Sequence, residues 1–247
     1  MVDDPTVGDG THPGDTLVTL DGPAGVGKST TARAVARELG YRYLDSGALY
    51  RAVTFALLSR GIPEAEWPSL TAEGLASLGL DVRPVGQTVE IRLDGRPLEE
   101  ELRTETVTRH VSSVARVAAV RRWLYRAQRA AAREGRLVAD GRDMGTVVFP
   151  EARTKVFLTA DVRERARRRL GDRGVARPGE EELEAEARRL GARDSQDESR
   201  EVAPLRVPEG ALVLDTTDLT FDAQVERIVD HARHPPGPEP RRDAPVR

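Results

Sequence analysis

The sequence predicts an α/β fold in which a parallel sheet of about five strands is covered by helices on both faces. Short apolar runs alternate along the chain with segments of helical periodicity. The first run, residues 17–20, is followed by a glycine-rich turn and by a helix at residues 28–39 that ends at Gly40. Such sheets bind ligands beyond the carboxyl ends of their strands, so polar residues at those positions are the first candidates for a site.

Each further element is predicted from its own pattern. A second strand at residues 41–44 leads into a helix that is capped by Asp45 and Ser46 and ends near Gly61. Residues 80–98 alternate apolar and polar side chains around the turn signal Asp94-Gly95, which predicts a small antiparallel patch. The remaining elements are helical segments within 105–133, strands at 136–139, 155–158 and 211–214, two Arg/Glu-rich helices around a break at 171–179, and a helix at 221–232.

The two ends of the chain differ from this pattern. Residues 1–15 are rich in Gly, Asp and Pro, and residues 234–247 are rich in Pro and Arg, so we expect a disordered arm and a disordered tail around a domain at 16–233. No apolar run approaches the roughly 20 residues that span a bilayer. The acidic start lacks the features of a signal peptide. We therefore expect a cytoplasmic protein without a membrane partner.

The composition excludes several kinds of site. The 247 residues include no cysteine, which removes disulfides and thiolate zinc sites, and the four histidines are scattered. The formal net charge of -3 gives no sign of a nucleic-acid partner. Among the 38 basic residues only Lys28 and Lys155 are lysines, so a lysine at position 28 is informative. Asparagine is absent, which removes the Asn-Lys-x-Asp signature of guanine-specific switch proteins.

A phosphate-binding loop lies between the first strand and its helix. The segment from Gly22 to Ser29, GPAGVGKS, matches the pattern G-x4-G-K-[ST] in the required context. Its glycines allow backbone N–H groups to surround a di- or triphosphate at the helix N-terminus. Lys28 can reach the β- and γ-phosphates, and the Ser29 hydroxyl can ligate magnesium. The alternative interpretation is a glycine-rich turn that only caps a helix.

Polar residues also follow two other strands. Asp140 ends the strand at 136–139, where a carboxylate can hold magnesium directly or through water. The segments 45–51 (DSGALYR) and 141–146 (GRDMGT) follow the second strand and the strand of Asp140. Asp140 could instead be a turn or cap residue, and each segment alone also fits a cap with an exposed arginine. Both segments would nevertheless face the mouth beside the phosphate loop.

Five segments stand in order within about residues 17–232: LDGPAGVGKS from Leu20, LDSGALYR from Leu44, ADGRDMGTVVFP from Ala139, RDSQD from Arg193 and VAPL from Val202. In sequence and in order they resemble the motifs of bacterial cytidylate kinases (CMP/dCMP kinases), which are P-loop nucleoside monophosphate kinases. The resemblance implies in-line transfer of the γ-phosphate of ATP to CMP or dCMP with Mg²⁺, as part of pyrimidine metabolism.

The resemblance also implies a role for individual residues. ATP would contact Gly22, Pro23, Ala24, Gly25, Val26, Gly27, Lys28, Ser29 and Thr30. Lys28, Arg142 and Arg200 would be catalytic, and Mg²⁺ would be held by Ser29 and Asp140. Ser46, Tyr50 and Arg51 would line the acceptor pocket, and Arg51, Arg142 and Arg200 would hold the acceptor phosphate. Cytosine would be read by Ser112, Arg121 and Asp143, with Ser113 as the alternative to Ser112, and the sugar hydroxyls would be held by Arg193 and Asp197.

The same resemblance divides the domain into a core, an NMP-binding insertion at about 62–115 and a helical lid at about 164–200, with Arg165, Arg168 and Arg169 around ATP. The chain departs from the family pattern in two places. Gln196 and Glu198 stand where basic residues are common, and residues 117–119 stand where the family has a segment that contains proline. We expect a monomer whose partners are small-molecule nucleotides.

The chemistry itself requires no general base. A phosphate monoester acceptor is largely ionised at pH 7, because its second pKa is about 6. The reaction instead requires in-line positioning and positive charge around the transferred group, which Lys28, magnesium and arginines can supply. The alternatives are a small P-loop kinase that acts on UMP, AMP or a non-nucleotide such as shikimate, and a P-loop switch protein that hydrolyses ATP slowly.

Overall fold

The computed structural model describes residues 13–133 and 135–235. The predicted arm lies outside these ranges except for its last residues, which enter a short 3₁₀ turn at Pro13–Thr16. The predicted tail lies outside them from residue 236 onwards.

The described residues form eight strands and eight α-helices. In chain order these are β1 (Leu17–Asp21), α1 (Lys28–Leu39), β2 (Arg42–Asp45), α2 (Ser46–Ser59), α3 (Ala72–Ala76), β3 (Leu80–Val85), β4 (Thr88–Leu93), β5 (Arg96–Pro97), α4 (Glu105–Val114), α5 (Ala118–Ala131), β6 (Leu137–Asp140), β7 (Thr154–Thr159), α6 (Val162–Asp172), α7 (Glu180–Glu198), β8 (Leu212–Asp215) and α8 (Phe221–Arg233). A π-helical turn, Met144–Val148, follows β6.

Five parallel strands form the centre of the sheet, in the order β2-β6-β1-β7-β8. This confirms the predicted α/β fold. The register places Asp140, at the end of β6, beside Leu20 of β1 on one side and Asp45 of β2 on the other. Since these three strands end at the same edge, the segments that follow them meet there. That edge also carries the phosphate loop, which follows β1.

The antiparallel patch extends this sheet. Strands β3 and β4 pair antiparallel along their whole length, and β4 also pairs in parallel with β2. The contact with β2 is confined to one residue pair, Tyr43 and Thr88, next to a 2.9 Å hydrogen bond from the Tyr43 N–H to the Gln87 carbonyl. The hairpin formed by β3 and β4 is therefore paired with the core sheet over a very short stretch.

Two apolar clusters cover the faces of the sheet. On β6, Leu137 and Ala139 belong to the cluster under α2, α4 and α5, whereas Val138 between them belongs to the cluster under α1 and α8. This alternation explains why the central strands are apolar at nearly every position. A third, small cluster joins Ala24 of the phosphate loop to α6 and α7 through Leu170 and Leu190. No helix within residues 13–133 and 135–235 is long and apolar enough to cross a membrane.

Candidate active site

The phosphate loop has the backbone that its glycines permit. Gly22, Gly25 and Gly27 have φ values of 148°, 76° and 91°, which side chains disfavour. A Cβ atom at Gly22 would lie 2.2 Å from the Leu158 carbonyl oxygen, so the close approach to β7 also requires glycine. Helix α1 begins at Lys28 without a side-chain cap. Its first N–H groups are therefore directed at the position where a phosphate group would bind.

The Lys28 side chain is buried beside the loop. It is 6% exposed, and its Nζ donates to the Pro23 carbonyl at 2.5 Å. Burial lowers the pKa of Lys28 well below its usual range, and the charge of Arg142 adds to this, while Asp140 and Asp21 oppose it. An anionic ligand next to Lys28 would favour the protonated form.

Ser29 and Asp140 meet at the end of β6, as the sequence predicted. The Ser29 hydroxyl donates to Asp140 Oδ2 at 2.9 Å, and the Tyr43 hydroxyl donates to Oδ1 at 2.7 Å. Burial raises the pKa of Asp140 to about 7, and the charge of Asp45 contributes. A cation at this position would stabilise the ionised carboxylate.

These oxygens fit a magnesium ion better than a metal that is bound only by the protein. Within the described ranges, no group of three His, Cys, Asp or Glu side chains could hold a metal. Mg²⁺ is typically held by one or two protein oxygens together with water and substrate phosphates. Ser29 and Asp140 are the two residues that would supply those protein oxygens.

Five predicted arginines lie close together next to the loop. Burial, followed by the charges of Arg142, Arg51, Arg169 and Arg200, lowers the pKa of Arg193 to about 9. The buried Arg193 Nε has no hydrogen-bond partner among the described residues. Such a concentration of half-buried positive charge favours the binding of anions.

The other arginines of this cluster are held by the protein. Arg142 Nε donates to Asp197 Oδ2 at 2.8 Å, and Arg200 forms an ion pair with the other oxygen of Asp197. Arg51 Nη1 donates to the Leu102 carbonyl at 3.0 Å and to the Thr108 hydroxyl at 2.8 Å. Asp197, for which the sequence predicted contact with the sugar, therefore orients two of the phosphate-binding candidates in this structure.

Arg121 and Asp143, the predicted cytosine readers, form a buried pair. Arg121 is 1% and Asp143 2% exposed, and the Arg121 guanidinium donates to Asp143 Oδ2. Arg121 also donates to the Ala115 carbonyl at 3.0 Å, and the Tyr125 hydroxyl donates to Asp143 Oδ2 at 3.2 Å. Both Ser112 and Ser113 are half-buried on α4, so the choice between them stays open.

The predicted pocket residues Ser46 and Tyr50 contain buried polar groups. Ser46 Oγ accepts a 3.0 Å hydrogen bond from Gln128 Nε2. The Tyr50 hydroxyl and Gln128 Oε1 have no partner among the described residues. Buried polar atoms are almost always hydrogen-bonded, so these atoms and Arg193 Nε together favour a polar ligand at this site.

The three predicted lid arginines are in contact with other residues of the protein. Arg165 is 7% exposed and donates to the Ala24 carbonyl at 2.9 Å and to Asp194 Oδ2 at 2.5 Å. Asp194 Oδ1 in turn accepts the Ala24 N–H at 2.9 Å. Arg165 thus supports the phosphate loop. Arg168 donates to the Thr216 hydroxyl at 3.0 Å, and Arg169 pairs with the buried Glu186 at 2.9 Å, so their contact with ATP stays a prediction.

Several residues that shape the site were not predicted from the sequence. Asp21, Tyr43, Gln128, Glu186 and Asp194 are all buried and bind groups in or next to it. A signal existed for Gln128, because a lone polar side chain stands among the buried positions 120, 124 and 131 of an amphipathic helix. Asp21 gave a similar signal at the end of a fully buried strand.

Comparison with known proteins identifies relatives along nearly the whole chain. A family model described as cytidylate kinase matches residues 18–234. The cytidylate kinase of Exiguobacterium sibiricum is 45% identical over 215 residues, which cover 87% of this chain and 96% of that protein. The cytidylate kinase of Salinibacter ruber is 44% identical over 223 residues, which cover 88% and 96%. Because the family model and these relatives match most of its length, the chain belongs to the cytidylate kinase family.

Proposed function

We propose that this protein transfers the γ-phosphate of ATP to CMP or dCMP and so produces CDP or dCDP and ADP. The observation that carries the proposal is the convergence of Arg51, Arg142, Arg193 and Arg200 beside Lys28, between the phosphate loop and the buried Arg121–Asp143 pair. This arrangement offers one anion site at the loop, a second in the arginine cluster and a polar site for a base. A kinase that transfers a phosphoryl group from one bound nucleotide to the phosphate of another requires these three parts.

The residues perform the reaction by position and charge. The loop amides and Lys28 would bind the β- and γ-phosphates, and the arginine cluster would hold the acceptor phosphate against the γ-phosphate. Arg142 is the candidate that lies between the phosphate loop and the arginine cluster, because its charge lowers the pKa of both Lys28 and Arg193. Planar guanidinium groups can bind two phosphate oxygens at once, which favours in-line geometry. The acceptor phosphate is already ionised near pH 7, so it attacks without a general base.

Magnesium is part of the proposal. Ser29 and Asp140 would hold it directly or through water, and Tyr43 orients the Asp140 carboxylate. When bound, Mg²⁺ neutralises charge on the β- and γ-phosphate oxygens.

The experiment that tests the function is ADP formation from ATP with each nucleoside monophosphate in turn. We expect rapid turnover with CMP and dCMP, and release of free phosphate at less than about a hundredth of that rate, because sequestration from water protects the γ-phosphate. Free phosphate release that matches ADP formation would favour a hydrolase. We also propose a monomer, which size-exclusion chromatography with light scattering tests.

Replacement of Arg51 by alanine should weaken the handling of CMP and spare ATP. A charge-assisted hydrogen bond contributes about 1.5–3 kcal/mol, so the KM for CMP should rise roughly 10- to 100-fold. The Kd of a non-hydrolysable ATP analogue, measured by calorimetry, should change less than about threefold. Arg37→Ala is the control, because that side chain is 75% exposed on α1. Loss of ATP binding with intact CMP binding would reverse the assignment of the two sites.

Replacement of Asp140 by asparagine should raise the Mg²⁺ concentration needed for ATP binding. The variant keeps the size of the side chain and removes its charge, so we expect the half-saturating Mg²⁺ concentration to rise at least about tenfold, the effect of losing a ligand or its support. Tyr43→Phe, which removes only the 2.7 Å bond to Oδ1, should give a smaller shift. Calorimetric titration of the ATP analogue at several Mg²⁺ concentrations measures both. An unchanged Mg²⁺ dependence in Asp140→Asn would remove Asp140 from the metal site.

A further inference from the structure

Asp21 connects the strand of the phosphate loop to the turn that follows β6. It is the last residue of β1 and is 0% exposed. Its Oδ1 accepts the Met144 N–H at 2.8 Å, and its Oδ2 accepts the Gly145 N–H at 2.7 Å. These two amides come immediately after Arg142 and Asp143. One carboxylate therefore fixes the backbone that presents both candidate acceptor-binding side chains.

The turn lies close against β1 at the same place. The Gly141 N–H donates to the Leu20 carbonyl at 3.0 Å. A Cβ atom at Gly145 would lie 2.8 Å from the Thr19 hydroxyl oxygen and 2.9 Å from Pro208, so the backbone fits there only without a side chain. Gly22, the first residue of the phosphate loop, directly follows Asp21. The position of the turn and the position of the loop are thus set by the same short piece of strand.

The surroundings of Asp21 disfavour its ionised carboxylate. Burial raises the pKa of Asp21 to about 7, against the Gly145 and Met144 N–H groups, which lower it. The charged groups around it are Lys28 of α1, whose charge lowers the pKa, Asp143, which raises it, and Arg142. Because the pKa in the folded state is above the usual value of about 3.9, ionisation of Asp21 reduces the stability of the fold as pH rises from about 4 to about 7. Groups retained at such a cost are commonly functional.

We propose that Asp21 is a positioning residue that holds the turn of Arg142 and Asp143 against the strand of the phosphate loop, so that the acceptor is aligned with the donor. The inference rests on the proposed function for the identity of the acceptor. The ionised carboxylate accepts both N–H groups more strongly than the protonated form, because protonation makes one oxygen a donor and a weaker acceptor. The hydrogen bonds from the turn to Asp21 are therefore strongest above about pH 7 and weaken as the pH falls.

The test uses Asp21→Asn. The oxygen of the new amide can accept from one N–H group, but its NH2 group would face the second N–H group, and two donors cannot form a hydrogen bond. We expect the KM for CMP to rise about tenfold or more, while the Kd of the ATP analogue changes less than about threefold. We also expect faster hydrogen exchange at the Met144 and Gly145 amides, measured by NMR. Thr19→Val is the matched control, since it lies on the same strand and touches the same turn, and its buried hydroxyl has no partner among the described residues. It should leave the KM and the exchange unchanged.

The pH dependence separates positioning from simple structural support. In the unmodified protein, kcat/KM for CMP should fall between pH 8 and pH 6 by more than the ionisation of the CMP phosphate explains. Asp21→Asn should lose the part due to Asp21, whereas the parts due to the substrate and to Asp140 remain in both proteins. If Asp21→Asn does not fold, protection of the Met144 and Gly145 amides in the unmodified protein, corrected for intrinsic exchange, should still be lower at pH 6 than at pH 8.

Three results would overturn the inference: unchanged exchange at the two amides in Asp21→Asn, equal protection at both pH values, or a parallel loss of ATP and CMP binding in a folded variant. Failure of the proposed function has a different signature. In that case the unmodified protein does not phosphorylate CMP, while the amide exchange still reports whether Asp21 holds the turn.

Discussion

Replacement of Lys28 by alanine should lower kcat at least about a hundredfold, which corresponds to about 2.7 kcal/mol in the activation barrier. Lys28 is the one cation of the phosphate loop itself, and it lies 6% exposed at the start of α1. Charge on the transferred group is greatest in the transition state, so loss of this cation should affect kcat more than the KM for ATP. Initial rates at saturating ATP and CMP measure the effect.

The chain supplies a control of the same residue type. Lys155, its only other lysine, is half-buried near the beginning of β7, where it pairs with Thr19 in the middle of β1 and not with a residue of the phosphate loop. Lys155→Ala should keep kcat within about threefold. A kcat within about threefold of the unmodified enzyme in Lys28→Ala would contradict the assignment of Lys28, because the barrier would then have changed by less than about 1 kcal/mol.

The second large effect concerns the choice of base. Cytosine offers a donor at N4 and an acceptor at N3, and uracil reverses both. A site in which Asp143 accepts from N4 and Arg121 donates to N3 would leave buried groups unpaired with UMP, at about 1–3 kcal/mol each. We therefore expect kcat/KM for CMP to exceed that for UMP by roughly a hundredfold or more. Equal values in the unmodified enzyme would refute the cytosine assignment and leave the acceptor open.

The Arg121–Asp143 pair decides which variant tests this. Asp143→Ala would leave the guanidinium of Arg121, 1% exposed, without its carboxylate, and breaking a buried pair costs about 3–5 kcal/mol. Asp143→Asn keeps an oxygen for Arg121 and places an amide donor where the base would bind. We expect the preference for CMP over UMP to fall at least about tenfold in this variant, with a smaller loss of thermal stability than in Asp143→Ala. Thermal unfolding of both variants checks that the kinetics describe folded protein.

Local sequence patterns were sufficient for most of the fold. The five parallel strands lie within one residue of the predicted ranges, because each is a short apolar run bounded by polar or turn residues. Two features were beyond local patterns. The helical segment 105–133 is interrupted at residues 115–117 without a glycine or proline to signal it, and the pairing of Tyr43 with Thr88 joins residues that are far apart in sequence.

For the site, motifs located the residues but not their partners. The P-loop pattern predicted that Lys28 and Ser29 lie at a phosphate site, and the place of Asp140 at the end of a predicted parallel strand indicated that it would lie at the same edge of the sheet. The bond from Tyr43 to Asp140 and that from Gln128 to Ser46 join residues 97 and 82 positions apart. Whether a buried polar side chain is supported by such a bond depends on tertiary packing, which no spacing within the sequence expresses. The same holds for Arg165, which the family resemblance assigned to the lid around ATP and which donates to the Ala24 carbonyl of the phosphate loop.

The narrow pairing of β4 with β2 also bears on how the protein stays dispersed in solution. Without it, β2 would be the outermost parallel strand on that side, with a row of unpaired backbone N–H and C=O groups. Residues 80–93 shield this edge and leave β3 outermost, where the exposed side chains of Asp81 and Arg83 discourage pairing with another chain. We therefore expect a shortened variant without the hairpin to self-associate.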